Sequence, residues 1–176
     1  MLLVRENQLV KAVEINRAEL KALTKAHSKY VNVQISSLCG CFSTVLIWKQ
    51  VQIDDVISYD WESLAQDEGN IFIMDCGNNH GTRDSRSIIR VDTDMLMQAD
   101  DGETIAAVNT ARFSMADKPG TELTSYMHDY DCEAATVVDK QLWVLSKNWS
   151  DLHSRLYRMD LVDINNSAAN DSVIEV

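Results

Sequence analysis

Three stretches of this chain recur in order at a nearly fixed spacing, and that repetition limits what it can fold into more than its composition does. Tyr59-Asp60-Trp61-Glu62-Ser63-Leu64-Ala65 aligns with Tyr130-Asp131-Cys132-Glu133-Ala134-Ala135-Thr136, 71 residues later. At the same offset, Ile71-Phe72-Ile73-Met74 aligns with Leu142-Trp143-Val144-Leu145. Ile88-Ile89-Arg90-Val91-Asp92 then recurs, after a shorter loop, as Leu156-Tyr157-Arg158-Met159-Asp160. Apolar and β-branched residues fill each run, and Asp67–Asn70 and Asp139–Gln141 supply turn residues between the first two. Each unit therefore reads as strand, tight turn, strand, loop, strand.

A fourth strand is expected at Ile105–Phe113 in the first unit, and Ser172–Val176 is expected to begin it in the second. A repeated four-stranded antiparallel unit is the sequence mark of a β-propeller blade. The expected fold is all-β: a propeller fragment of about two blades, 59–116 and 130–176, within a region spanning 50–176. Gln50–Ile57 would be the outer strand of a preceding blade. The acid-rich stretch Asp92–Glu103 and the segment Ala116–Asp129 read as loops that lengthen the repeat.

Residues 1–49 form a separate N-terminal extension. Val10, Val13, Ile15, Leu20 and Leu23 fall near helical spacing among charged residues, which predicts an amphipathic helix over 6–26. The uncharged run Tyr30–Trp48 is long enough to span a bilayer, but Asn32, Gln34, Ser36, Ser37, Ser43 and Thr44 make insertion costly. No basic start followed by a short apolar stretch marks a secretory signal.

Hydrophobic residues make up 45% of the 176, enough for a packed core. The formal charge of −11 argues against a nucleic-acid partner, whose phosphates need clustered Lys and Arg. Of the four cysteines, Cys39 and Cys41 are too closely spaced for a zinc knuckle. Cys76 and Cys132 each stand beside acidic residues in related segments. A disulfide is compatible with this count, and ordinary buried thiols are the plainer reading.

Asp60-Trp61-Glu62 and the turn Asp75-Cys76-Gly77-Asn78-Asn79-His80-Gly81-Thr82-Arg83, followed by Asp131-Cys132-Glu133-Ala134 and Lys147-Asn148-Trp149, resemble a family of bacterial six-bladed β-propellers. That family is mostly exported and is related in architecture to the SdiA-regulated and esterase-like phytase propellers. The likeness covers about residues 50–163 and implies a propeller fragment, since 176 residues cannot supply every blade. Open blade edges would then favour self-association or a protein partner.

Within the repeats, the two D-x-E segments are the first candidates for chemistry. Asp60 with Glu62, and Asp131 with Glu133, fall on one face of a strand. If both strands are innermost, four carboxylates converge, and Asp75 joins them from the turn. Oxygen ligands in that number suit Ca²⁺; hydrogen bonding to backbone N–H groups at the blade junction is the competing reading. Asn78, Asn79, His80 and Arg83 are candidate ligand-binding residues, with local pairing of Arg83 to Asp75 or Asp84 as the alternative. No HExxH, G-x-S-x-G or P-loop is present. The preferred function is a non-catalytic scaffold that binds a ligand, cation or protein. The alternative is a divalent-metal hydrolase of phosphoesters or lactones built on the four carboxylates.

Overall fold

A computed structural model describes residues 49–176 with their side chains and, before them, only backbone strands. Those strands are Leu3–Arg5 (β1), Gln8–Glu14 (β2), Lys21–His27 (β3), Tyr30–Cys39 (β4) and Phe42–Asp54 (β5), of which β5 runs on into the fully described part. Each pairs antiparallel with the next, Ala12 opposite Leu23 and Leu23 opposite Gln34. The helix expected over 6–26 is thus replaced by strands at Gln8–Glu14 and Lys21–His27; its other residues lie outside the described ones. The physical reason is pairing: β3 lies between two neighbours whose ladders satisfy its backbone on both sides. Such tertiary pairing outweighs a weak helical periodicity that valines do little to reinforce.

The recurring segments do form equivalent strands. In the first unit they are Trp61–Asp67 (β6), Asn70–Asp75 (β7) and Arg86–Asp92 (β8), followed by a helix at Thr93–Gln98 (α1), then Thr104–Ala106 (β9) and Asn109–Ser114 (β10). In the second they are Asp131–Val138 (β11), Gln141–Lys147 (β12) and Leu156–Asp160 (β13), followed by a helix at Leu161–Asn170 (α2) and Val173–Glu175 (β14). The likeness extends to irregularities. The β6–β7 ladder shifts register between Trp61 and Ser63, and the β11–β12 ladder does so between Cys132 and Ala134, so Glu62 and Glu133 are equivalent bulge residues. Both helices begin directly after an aspartate. Asp92 caps α1 by accepting from Met95 N at 2.8 Å, giving helix where a loop was expected.

Sheet order differs from a plain run of four-stranded units. Ile105–Phe113 is not one strand: β9 pairs parallel with β5, while β10 pairs antiparallel with β8. In the same way β14 pairs parallel with β10 instead of starting a fourth strand beside β13. Each unit thus lends the strand after its helix to the sheet before it. The resulting sheets run β1-β2-β3-β4-β5-β9, β14-β10-β8-β7-β6 and β11-β12-β13. The fold is therefore mostly β on antiparallel sheets, and the described residues do not by themselves close a propeller ring.

The middle sheet is buried on both faces, which explains its near-continuous apolar strands. Leu64, Ile71, Ile73, Ile89 and Val91 pack with Val51, Ile53, Leu96 and Ile105 on one side. Ala65, Phe72, Met74, Ile88 and Phe113 pack with Leu142, Val144, Met159 and Ile164 on the other. Among the described residues, no helix is long and apolar enough to cross a membrane.

A buried hydrogen bond joins β6 to β11, and a disulfide joins the turn after β7 to β11. Ala135 N donates to Ser63 Oγ at 2.8 Å in a buried bond between β11 and β6. Cys76 and Cys132 are not free thiols but a disulfide, their Cα atoms 5.4 Å apart. Replacing Ser63 with Ala should leave the buried Ala135 N–H without its acceptor, a loss of about 1–3 kcal/mol. At about 2–4 °C per kcal/mol for a chain of this size, calorimetry should find Tm lower by several degrees; an unchanged Tm would show that the bond does not hold the units together.

Candidate functional site

The paired bulges bring the acidic residues of both units to one end of β6 and β11. Asp60 O accepts from Cys76 N and Gly77 N, both at 3.1 Å, which draws the turn after β7 back over the start of β6. Asp60 and Glu62 then lie directly over Gly77. A Cβ at that position would overlap the Asp60 carboxylate and stand 2.7 Å from Glu62 Oε1, so a larger residue there would have to displace both side chains.

Two of the expected carboxylates serve the backbone. Asp75 is fully buried; its Oδ1 accepts from Asp60 N at 3.0 Å and from Arg83 Nη1 at 2.9 Å, and its Oδ2 from Tyr59 N at 3.0 Å. Arg83 also donates to Gly77 O and Asp75 O, each at 2.9 Å, so it clamps the turn. Asp131, also fully buried, accepts from Asn78 N at 2.7 Å and from Trp149 Nε1 at 3.3 Å. These bonds match the competing reading, carboxylates that fix a junction.

The candidate ligand residues of the turn are largely engaged as well. Asn78 is buried, and its Oδ1 accepts from Arg83 N at 2.9 Å. Asn79 O accepts from Tyr126 N at 2.8 Å. His80 is exposed, its Nδ1 3.4 Å from Ser125 Oγ and its ring edge-on to Tyr126, which in turn stands edge-on to Trp149.

Asp60, Glu62 and Glu133 remain as the open part of the site. Burial pushes the Glu62 carboxyl up to about 8, helped by the charges of Glu133 and Asp60, a hydrogen bond with Asp60, and a smaller contribution from Asp131. Glu133 is also raised, again chiefly by burial, although Lys147 Nζ lies 2.6 Å from its Oε1 and opposes the shift. Burial lowers the Lys147 ammonium, but its bonds and charge contacts with Glu133 and Asp131 outweigh this and leave it raised. Lys147 also stands 3.8 Å from Asp131 Oδ2 and 4.2 Å from the Trp149 ring centroid. Neither Lys147 nor Trp149 was picked out as a site residue by the sequence, though both belong to the Lys147-Asn148-Trp149 turn.

Among the described residues, no three His, Cys, Asp or Glu side chains are placed to hold a metal ion. The set expected for Ca²⁺, Asp60, Glu62, Asp75, Asp131 and Glu133, is thus not gathered as a ligand cluster among the described residues, and Asp75 and Asp131 are taken up by N–H donors. Searches against protein-family models, curated proteins and solved structures find no match for this chain.

The raised Glu62 carboxyl carries a prediction about pH. The folded chain holds a proton that the unfolded chain releases near 4.5, so stability should fall as pH rises from there to about 8 and stay low above it. Glu62→Gln should remove that decline. With a discount for partial exposure, its Tm advantage over the native chain should grow from nil near pH 4.5 to about 2–4 °C above pH 8. Parallel melting curves across that range would contradict the assignment.

Proposed function

We propose that this chain is a non-catalytic, propeller-type binding module whose ligand approaches the shared end of β6 and β11. On this reading β6 and β11 are innermost strands of consecutive blades, and the carboxylates they carry line one mouth of the axis. One observation carries the proposal: equivalent bulges place Glu62 and Glu133, one from each unit, close enough for their charges to interact. The strand lent by each unit to the sheet before it supports a serial arrangement of blades.

The outer edge of β13 has no pairing strand among the described residues, which leaves room for association through that edge. The buried disulfide accords with folding in an oxidising compartment, as for the exported proteins the sequence resembles. The hydrolase alternative has less behind it, because Asp75 and Asp131 already accept from N–H donors that hold the turns.

A thermal-shift screen of small molecules and Ca²⁺, starting from EDTA-treated protein, tests the proposal against an Asp60→Asn/Glu62→Gln variant. A ligand at a hundred times its Kd should stabilise the native chain by about 2.7 kcal/mol, and the variant should lose that gain. Turnover of p-nitrophenyl phosphate or a lactone that the variant lacks would instead establish the hydrolase.

A further inference from the structure

Arg86 is a cation buried in the layer between the two units. It is the first residue of β8 and has no exposed surface. It stands opposite Phe113 on β10, and its side chain leaves β8 on the same side as Ile88, which packs in the layer shared with Leu142 and Val144. Its Nη2 donates to Tyr130 O, just ahead of β11. Its Nε and Nη1 are buried and have no acceptor.

Burial, and after it the charge of Arg83, lowers this guanidinium to about 10, which leaves it protonated at neutral pH. Arg83 acts on it more strongly than either of the carboxylates that oppose the shift, Asp131 and Asp84. Both of these are occupied elsewhere. Asp131 accepts from Asn78 N and Trp149 Nε1, and the exposed Asp84 lies 2.6 Å from Lys118 Nζ. Tyr157 also acts on Arg86, but its hydroxyl donates to Asp117 Oδ1 at 3.0 Å. Arg86 forms no ion pair with a described carboxylate. A buried charge short of both a counter-ion and acceptors is costly. Water supplies an acceptor without the opposite charge, whereas an anion supplies both. Because no part of Arg86 reaches the surface, its partner is enclosed with it, which suits a single small ion.

We propose that Arg86 holds a small monovalent anion, of the size and charge of chloride, at the seam between the two units. The anion accepts charge-assisted N–H bonds from Nε or Nη1, while Nη2 keeps its bond to Tyr130 O. Arg86 belongs to the first unit and Tyr130 leads into the second, so the ion neutralises a cation that the junction itself buries. Its occupancy therefore stabilises the junction, and does so whether or not a ligand approaches Asp60, Glu62 and Glu133.

Melting of the full chain in the sodium salts of chloride, bromide and gluconate, at equal concentration, tests the site. For a Kd of about 10 mM, chloride at about 150 mM should raise Tm by about 3–6 °C over gluconate. Bromide should act alike, and Arg86→Met should melt at one temperature in all three salts. Crystals of the native protein grown in bromide should show an anomalous peak within hydrogen-bonding distance of Arg86 Nε or Nη1. That readout decides the matter even where Arg86→Met fails to fold. The proposal is overturned if the native chain melts alike in chloride and gluconate, or if Arg86→Met keeps the halide gain. It is equally overturned if the bromide crystals show water, and no anomalous peak, beside Arg86.

Discussion

The acidic face of this molecule depends on how β6 and β11 are held side by side. Two sheets that meet only through apolar packing can slide, and a slide of a few ångströms would separate Glu62 from Glu133. Directional bonds prevent this. Ser63 Oγ accepts from Ala135 N near the middle of the strands, and Asp131 accepts from Asn78 N at their end. The Cys76–Cys132 bridge closes a loop across a separation of 56 residues. On chain entropy alone, a loop of that length is stabilised by about 4 kcal/mol. These links sit within a few residues of the carboxylates, so the forces that join the units also set the geometry of the site.

A second constraint operates through the exchanged strands. β9 leaves its own unit to pair with β5, and β14 leaves its unit to pair with β10. The middle sheet and the β11-β12-β13 sheet are thereby tied at both margins, by the lent strand β14 at one and by the disulfide and buried hydrogen bonds at the other. The middle sheet is enclosed between two apolar layers as a result, and Leu96 of α1 and Ile164 of α2 fill corresponding places in them. Buckling of one sheet would disturb both layers, which favours serial, cooperative packing of the units.

Much of this was legible in the repeat. Matching residues at a constant offset located six strands and both hairpins, because a segment that recurs in order must recur in structure. Local pairing of Arg83 to Asp75 or Asp84 was readable from their spacing; the fold selects Asp75, while Asp84 pairs with Lys118. What escaped the sequence depends on neighbours distant along the chain. Nothing within Ile105–Phe113 signals that its first residues join another sheet, and the choice is made by the open edge of β5. The valines of Gln8–Glu14 suit helix period and strand alike, and their pairing with Lys21–His27 decides. The disulfide was hidden because Cys76 and Cys132 do not occupy equivalent positions in the two units. Lys147 was hidden for a related reason: its counterpart is Cys76, so a comparison that seeks identities passes over the lysine that pairs with Glu133.

Peptide mapping of the unreduced protein tests the junction of the two units most directly. Tryptic cleavage should yield the peptide of residues 50–83 joined to that of residues 113–140, a species that separates into its two parts on reduction. Free, alkylatable Cys76 and Cys132 in the folded chain, or a bridge from either to Cys39 or Cys41, would contradict the side-by-side placement of β6 and β11 on which the site depends.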